Sequence, residues 1–260
     1  MTTTMPRSVD QLPSSPGVTV TQYTRRRIYA IWAAAALPMA ALSWIVAPAV
    51  ADGSGIESMV LPLLACMTVG IVWQLVLVII LVGREQRSLR WSRVREALWL
   101  RSPRSPRSGR VGGRTWFVLV PLVVGFGVAH AFGVVPSPVD RDFGTFLSSD
   151  AGEAYFAGAW DLFALWAVMA VFNTVLGEEL LFRGVLLPRM RDAFGERDWV
   201  ANGVLFGFYH LHAPWGIPGA LLDTFTLSWG TKRYRSTWVG IAVHSAQNVF
   251  LGLLLLTLVA

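Results

Sequence analysis

The segment Gly177-Glu178-Glu179-Leu180-Leu181-Phe182-Arg183 sets two carboxylates and a guanidinium at the end of an uncharged run from Leu162 to Leu176. A charge inside bilayer hydrocarbon costs at least ~2.5–3.5 kcal/mol on insertion scales. Three such groups must therefore face one another or a cavity, and they mark a site. His210 and His244 lie in later apolar stretches. Carboxylate and imidazole together are equipped to activate water, and these five side chains suggest a hydrolytic centre within a membrane.

Spacing assigns the roles. Glu179 and Arg183 are four apart and share a helix face. Because arginine keeps its proton, the pair reads as a supporting ion pair. Glu178 points about 100° away around the helix and is free for another partner. His244 and Asn248 are again four apart, so their polar heads project from one side. Glu178 with His210 can bind and deprotonate a water, while His244 and Asn248 can donate to the developing oxyanion. The alternative is a zinc ion held by Glu178, His210 and His244 with water in the open position. A metal-free route and a zinc route both remain open, since no His-Glu-x-x-His helix is present.

The elements that must carry these groups are membrane helices. The chain has 260 residues, 54% hydrophobic and 15% charged, with a mean hydropathy of +0.51. A soluble domain would carry about 25% charged residues. The fold class expected is an all-α polytopic transmembrane bundle of about seven spans, six to eight, with the active site inside the bilayer. The spans are predicted near 28–50, 57–83, 115–135, 160–183, 199–212, 217–229 and 237–259; several approach or exceed the ~20 apolar residues that cross a bilayer, while 199–212 and 217–229 are short, as broken or tilted helices would be. Three units follow: a disordered tail over 1–27, N-terminal transmembrane helices over 28–135 and a catalytic core over 155–260. Cys66 is the single cysteine, so no intrachain disulfide can form.

Charge sets the orientation. Ten of the 22 basic residues are arginines between Arg84 and Arg114, beside two glutamates. No aromatic–basic platform or nucleic-acid fold accompanies them, which argues against a nucleic-acid partner. They read as a cytoplasmic loop obeying the positive-inside rule, attracted to anionic membrane lipid. Trp91, Val94 and Leu98 at helical spacing suit a helix in the headgroup region, and Pro103 and Pro106 end it. The N-terminus then lies in the cytoplasm of a multi-pass plasma-membrane protein, and the high arginine content suits a bacterial one. At 1.5 Å per residue, Glu178 lies roughly 16–20 Å from Arg189 and Arg191. His210 lies roughly 17 Å from Trp199, and His244 roughly 14 Å from Arg235. Three helices thus bring ionisable groups to a similar depth.

Glu178-Glu179-x-x-x-Arg183, Phe206-x-x-x-His210 and His244-x-x-x-Asn248, in that order, resemble the motifs of the CPBP family. That group comprises intramembrane proteases of the CAAX prenyl endopeptidase type II and bacteriocin-processing (ABI) kind. The resemblance covers about residues 155–260. It implies water activation by Glu178 and His210, oxyanion stabilisation by His244 and Asn248, support from Glu179 and Arg183, and a membrane-associated or lipid-modified protein or peptide as substrate. The rival reading is a non-catalytic membrane scaffold or bacteriocin-immunity protein of the same fold. His130, His212, Gln247 and Asn173 read as packing or helix-linking residues, Gly203 and Gly240 as close-contact positions, and Asp223 as a group lining a cavity or pairing with a cation.

Overall fold

A computed structural model of the protein describes residues 18, 20–132 and 135–260. Among these residues every secondary-structure element is a helix, apart from one antiparallel bridge pair, Arg104 and Val111. Five helices are long and apolar enough to cross a membrane: α1 (Arg25–Val50), α2 (Ile56–Gln86), α4 (Gly113–Phe132), α5 (Trp160–Arg189) and α9 (Thr237–Val259). Between α2 and α4 lies the short α3 (Trp91–Ala97), the headgroup-type helix read from Trp91 and Val94. Large apolar side chains on the outer faces of the long helices, such as Val69, Val124 and Phe250, are exposed. In water that surface would be a liability; in a bilayer it is the normal lipid-facing one.

The expected count of about seven spans is not met by length. The segment predicted near 199–212 forms α6 (Asp198–Tyr209), only 12 residues. That is about 18 Å of helix against hydrocarbon ~30 Å thick. The segment predicted near 217–229 is broken into α7 (Ile217–Leu222) and α8 (Ser228–Tyr234). Hydropathy alone cannot see this break. The Asp223 carbonyl accepts from the Thr226 and Leu227 amides and from the Thr226 hydroxyl, which tightens the chain into a turn.

The tail expected over 1–27 also needs correction at its inner end; most of it lies outside the described residues. Tyr23 is buried and its amide donates to the Arg189 carbonyl at 2.9 Å, while the Thr21 amide donates to Glu85. Thr24 then caps α1, its hydroxyl accepting from the Arg27 amide. Arg189, fully buried, binds the Glu85 carboxylate and the Val185 carbonyl. This tie joins the ends of α2 and α5 and gives residues 20–24 a surface to dock on.

Polar side chains lock α1 to its neighbours. Pro38 has no N–H for the Ala34 carbonyl, as helix geometry would require. The Trp73 indole of α2 supplies the missing donor at 2.8 Å. Farther along, Trp44 donates to the Leu211 carbonyl and Ser43 to the His212 carbonyl. These bonds satisfy the carbonyls where α6 runs out into the turn His210–His212, and so hold His210 in place.

The centre of the bundle is α5. It widens into π-helical turns over Phe172–Gly177 and Leu180–Leu186, and Glu178 and Glu179 sit between them. Such turns recur at functional sites because they re-aim side chains off α-helical register. Every residue from Gly177 to Met190 is buried. Asn202 of α6 donates to the Phe182 carbonyl at 2.8 Å and accepts from Ser228 of α8 at 2.9 Å. Three elements are thereby fixed through one amide.

α6 packs against the Asp223 turn at a distance only glycine permits, since a Cβ on Gly203 would fall onto the Thr224 side chain. Gly203→Val should therefore cost about 1–3 kcal/mol by overpacking. A drop in the thermal midpoint of the purified protein checks this. An unchanged midpoint would mean that α6 and the turn are farther apart than described.

Candidate active site

Helix α9 faces α5 along the residues that carry charge. The Glu179 carboxylate is fully buried, and its Oε1 lies 3.1 Å from Arg183 Nη1. The same oxygen accepts from His244 Nδ1 at 3.1 Å. This close approach needs Gly240, where a Cβ would meet the other Glu179 oxygen. The Arg183 guanidinium is also fully buried and stacks over the Phe206 ring, 3.8 Å from its centroid. Its nitrogens lack directional hydrogen bonds, so charge pairing and cation–π attraction hold it.

Glu178 occupies the other side of α5. Its Oε2 lies 4.0 Å from His244 Nε2. With its amide turned to donate, Asn173 reaches the two Glu178 oxygens at 2.9 and 3.1 Å. The Tyr209 hydroxyl hydrogen-bonds Glu178 and accepts from Gln74 at 2.7 Å. His244 therefore bridges the two acids: one ring nitrogen faces each. Since Nδ1 donates to Glu179, the tautomer assigned by the network leaves Nε2 towards Glu178.

His210 lies at the end of α6. Its Nδ1 pairs with the Phe206 carbonyl at 2.9 Å. That bond makes Nδ1 the donor and leaves Nε2 as a free acceptor. The His210 and His244 rings both lie against Phe206, with centroids 4.9 and 6.0 Å from it. They share a cavity of about 300 Å³ with His130, Asp223 and Gln247. Glu178, Asn173 and His212 line a neighbouring cavity of about 510 Å³, and Trp215 belongs to both.

Glu178, Glu179, Arg183 and His244 are thus brought into direct contact. His210 is near but has no hydrogen bond to Glu178. Asn248 departs further from expectation. Its amide donates to the Ala170 carbonyl at 3.2 Å and to Thr174 at 3.4 Å, which ties α9 to α5. To serve an oxyanion it must exchange one of these bonds for the substrate. The zinc ligand set Glu178, His210 and His244 does not assemble either. Among the described residues no three His, Cys, Asp or Glu side chains are grouped to hold a metal ion. Side chains so placed do not fit a metal.

Several positions turn out closer to the chemistry than their sequence suggested. Asn173, read as a helix link, reaches Glu178 because residues five apart align in a π-helical turn. Tyr209 had no separate signal beyond its place beside His210. His130, read as packing, contacts the Phe126 carbonyl at 3.2 Å and lies 3.5 Å from Asp223. Asp223 itself is buried and lines the histidine cavity.

Residues 159–250 match the model of the family described as type II CAAX prenyl endopeptidase Rce1-like. The match agrees with the resemblance read from the three motifs and contains all of them. No curated protein and no solved structure matches the chain. The long apolar helices suit a membrane protein, and its residues 159–250 are similar to a family of proteases.

Proposed function

We propose that the protein is an intramembrane endopeptidase that hydrolyses a peptide bond in a membrane-associated or lipid-modified substrate, with Glu178 as general base. The observation that carries the reading is a buried carboxylate set against a histidine by two helices, inside the segment that matches an endopeptidase family. Asn173 and Tyr209 orient the Glu178 carboxylate. The free Nε2 of His210 orients the attacking water.

Water gives one proton to Glu178 as its oxygen bonds to the substrate carbonyl carbon. The tetrahedral oxyanion that results accepts a hydrogen bond from His244 Nε2 when that imidazole carries its second proton. Glu179 at Nδ1 steadies the ring in that state. As the C–N bond breaks, Glu178 passes its proton to the leaving amine nitrogen, which returns the carboxylate to its starting form. Substrate, oxyanion donors and base need no cofactor in this scheme.

The test is cleavage of a membrane-anchored peptide library by the full chain in proteoliposomes, with products identified by mass spectrometry. Prenylated and unprenylated arms of the library address substrate lipid. His210→Ala should lower kcat about 10²-fold, the order for a misplaced reactant, with little change in thermal midpoint. If wild type cleaves nothing in either arm, or the variant cleaves as well as wild type, this mechanism fails.

A further inference from the structure

The second half of the arginine-rich segment is docked as a hairpin. The Ser105 amide donates to the Arg110 carbonyl at 2.8 Å and the Gly112 amide to the Pro103 carbonyl at 2.9 Å. The Arg104 amide donates to the Tyr234 carbonyl at the end of α8, and Arg101 donates to the Arg235 carbonyl at 3.0 Å. Between this hairpin and α8 opens a cleft of about 1100 Å³. Arg107, Arg110, Arg114 and Arg233 line it, and among the described lining residues there is no aspartate or glutamate. The side chains of these four arginines have no hydrogen bond or ion pair to the described protein. Glu196 lines the adjoining cavity and is paired with Arg191.

Four like charges held around one cleft repel one another, and an anion between them relieves that repulsion. Val118 and Trp229 add apolar side chains to the lining, each one helical turn from a lining arginine, Arg114 on α4 and Arg233 on α8. Just beyond it Phe117 and Val120 are 72% and 62% exposed on the first turns of α4. The cleft therefore combines four cations with apolar side chains and lies at the end of an apolar helix of membrane-crossing length. A free anion would satisfy only the arginines. A lipid satisfies both the arginines and the apolar side chains.

We propose that this cleft is a binding site for an anionic phospholipid, its phosphate among Arg107, Arg110, Arg114 and Arg233 and an acyl chain along Val118 and Trp229. The site concerns binding alone and stands apart from the catalytic reading. Diffuse attraction of basic segments to anionic membranes would involve all ten arginines of the segment. A built cleft makes only its own arginines count.

The full chain is purified in mild detergent with phosphatidylglycerol and phosphatidylcholine supplied together, and retained lipid is counted by native mass spectrometry. Wild type should keep one phosphatidylglycerol. R107Q/R110Q/R114Q should weaken its retention about tenfold or more, from the ~1 kcal/mol contributed by each basic residue near an anionic surface. R233Q, a single change on α8, should weaken it to a smaller extent. R84Q/R87Q/R90Q removes equal charge from exposed positions outside the cleft and should leave retention unchanged. Equal losses in the two triple variants, or no retained lipid in wild type, would overturn the proposal. Displacement by glycerol phosphate as readily as by the intact lipid would overturn the acyl part and leave a plain anion site, contrary to the assignment.

Discussion

Glu178→Gln is expected to abolish product, lowering kcat by about 10²–10⁴-fold while the protein still accumulates and unfolds near the wild-type temperature. The amide matches the carboxyl in size, and it can keep one hydrogen bond each to Asn173 and Tyr209, whose contacts hold Glu178 now. What it cannot do is accept a proton from water. The variant thus removes the chemistry and spares the packing. Asn173→Ala provides the graded comparison: it leaves the base but frees its orientation, and a misplacement of even 1 Å can cost about 10²-fold. Normal cleavage by Glu178→Gln would mean that another group takes the proton from water, and the role given to Glu178 would fail.

How far the site was legible follows from helix geometry. The pair Glu179–Arg183 could be read as a contact because residues four apart meet in an α-helix, and α5 keeps that contact at 3.1 Å. Asn173 with Glu178 could not, since a five-residue spacing aligns only where the helix widens to i→i+5 bonding, and no residue pattern announces that. Thr237–Val259 emerged with the predicted ends because a charged turn precedes a long apolar run. The shortness of 217–229 pointed to a broken or tilted helix, but the place of the break at Asp223 stayed hidden: its cause is one carbonyl collecting three donors, a tertiary detail that hydropathy does not encode. Asn248 shows a third limit. Spacing put it on the same face as His244, but the rotation of α9 against α5 decides whether that face meets the cavity or the Ala170 carbonyl.

Glu179→Ala is expected to be more damaging to the fold than any change at Glu178. It strands the fully buried Arg183 without its ion-pair partner, and breaking a buried pair costs about 3–5 kcal/mol. It also removes the acceptor for His244 Nδ1. Loss of folded protein alone would not separate these two consequences. The double variant Glu179→Leu with Arg183→Met does, since replacing both partners of a buried pair by apolar residues of similar volume is often neutral or stabilising. Folded protein should return, measured as accumulation and thermal midpoint. Cleavage should stay reduced by about 10²-fold, the order expected for a misplaced catalytic group, because His244 no longer has the carboxylate that aims its Nε2 at Glu178. If cleavage returned together with folding, Glu179 would be a structural anion only, and the bridging of two acids by one imidazole would have no part in the reaction.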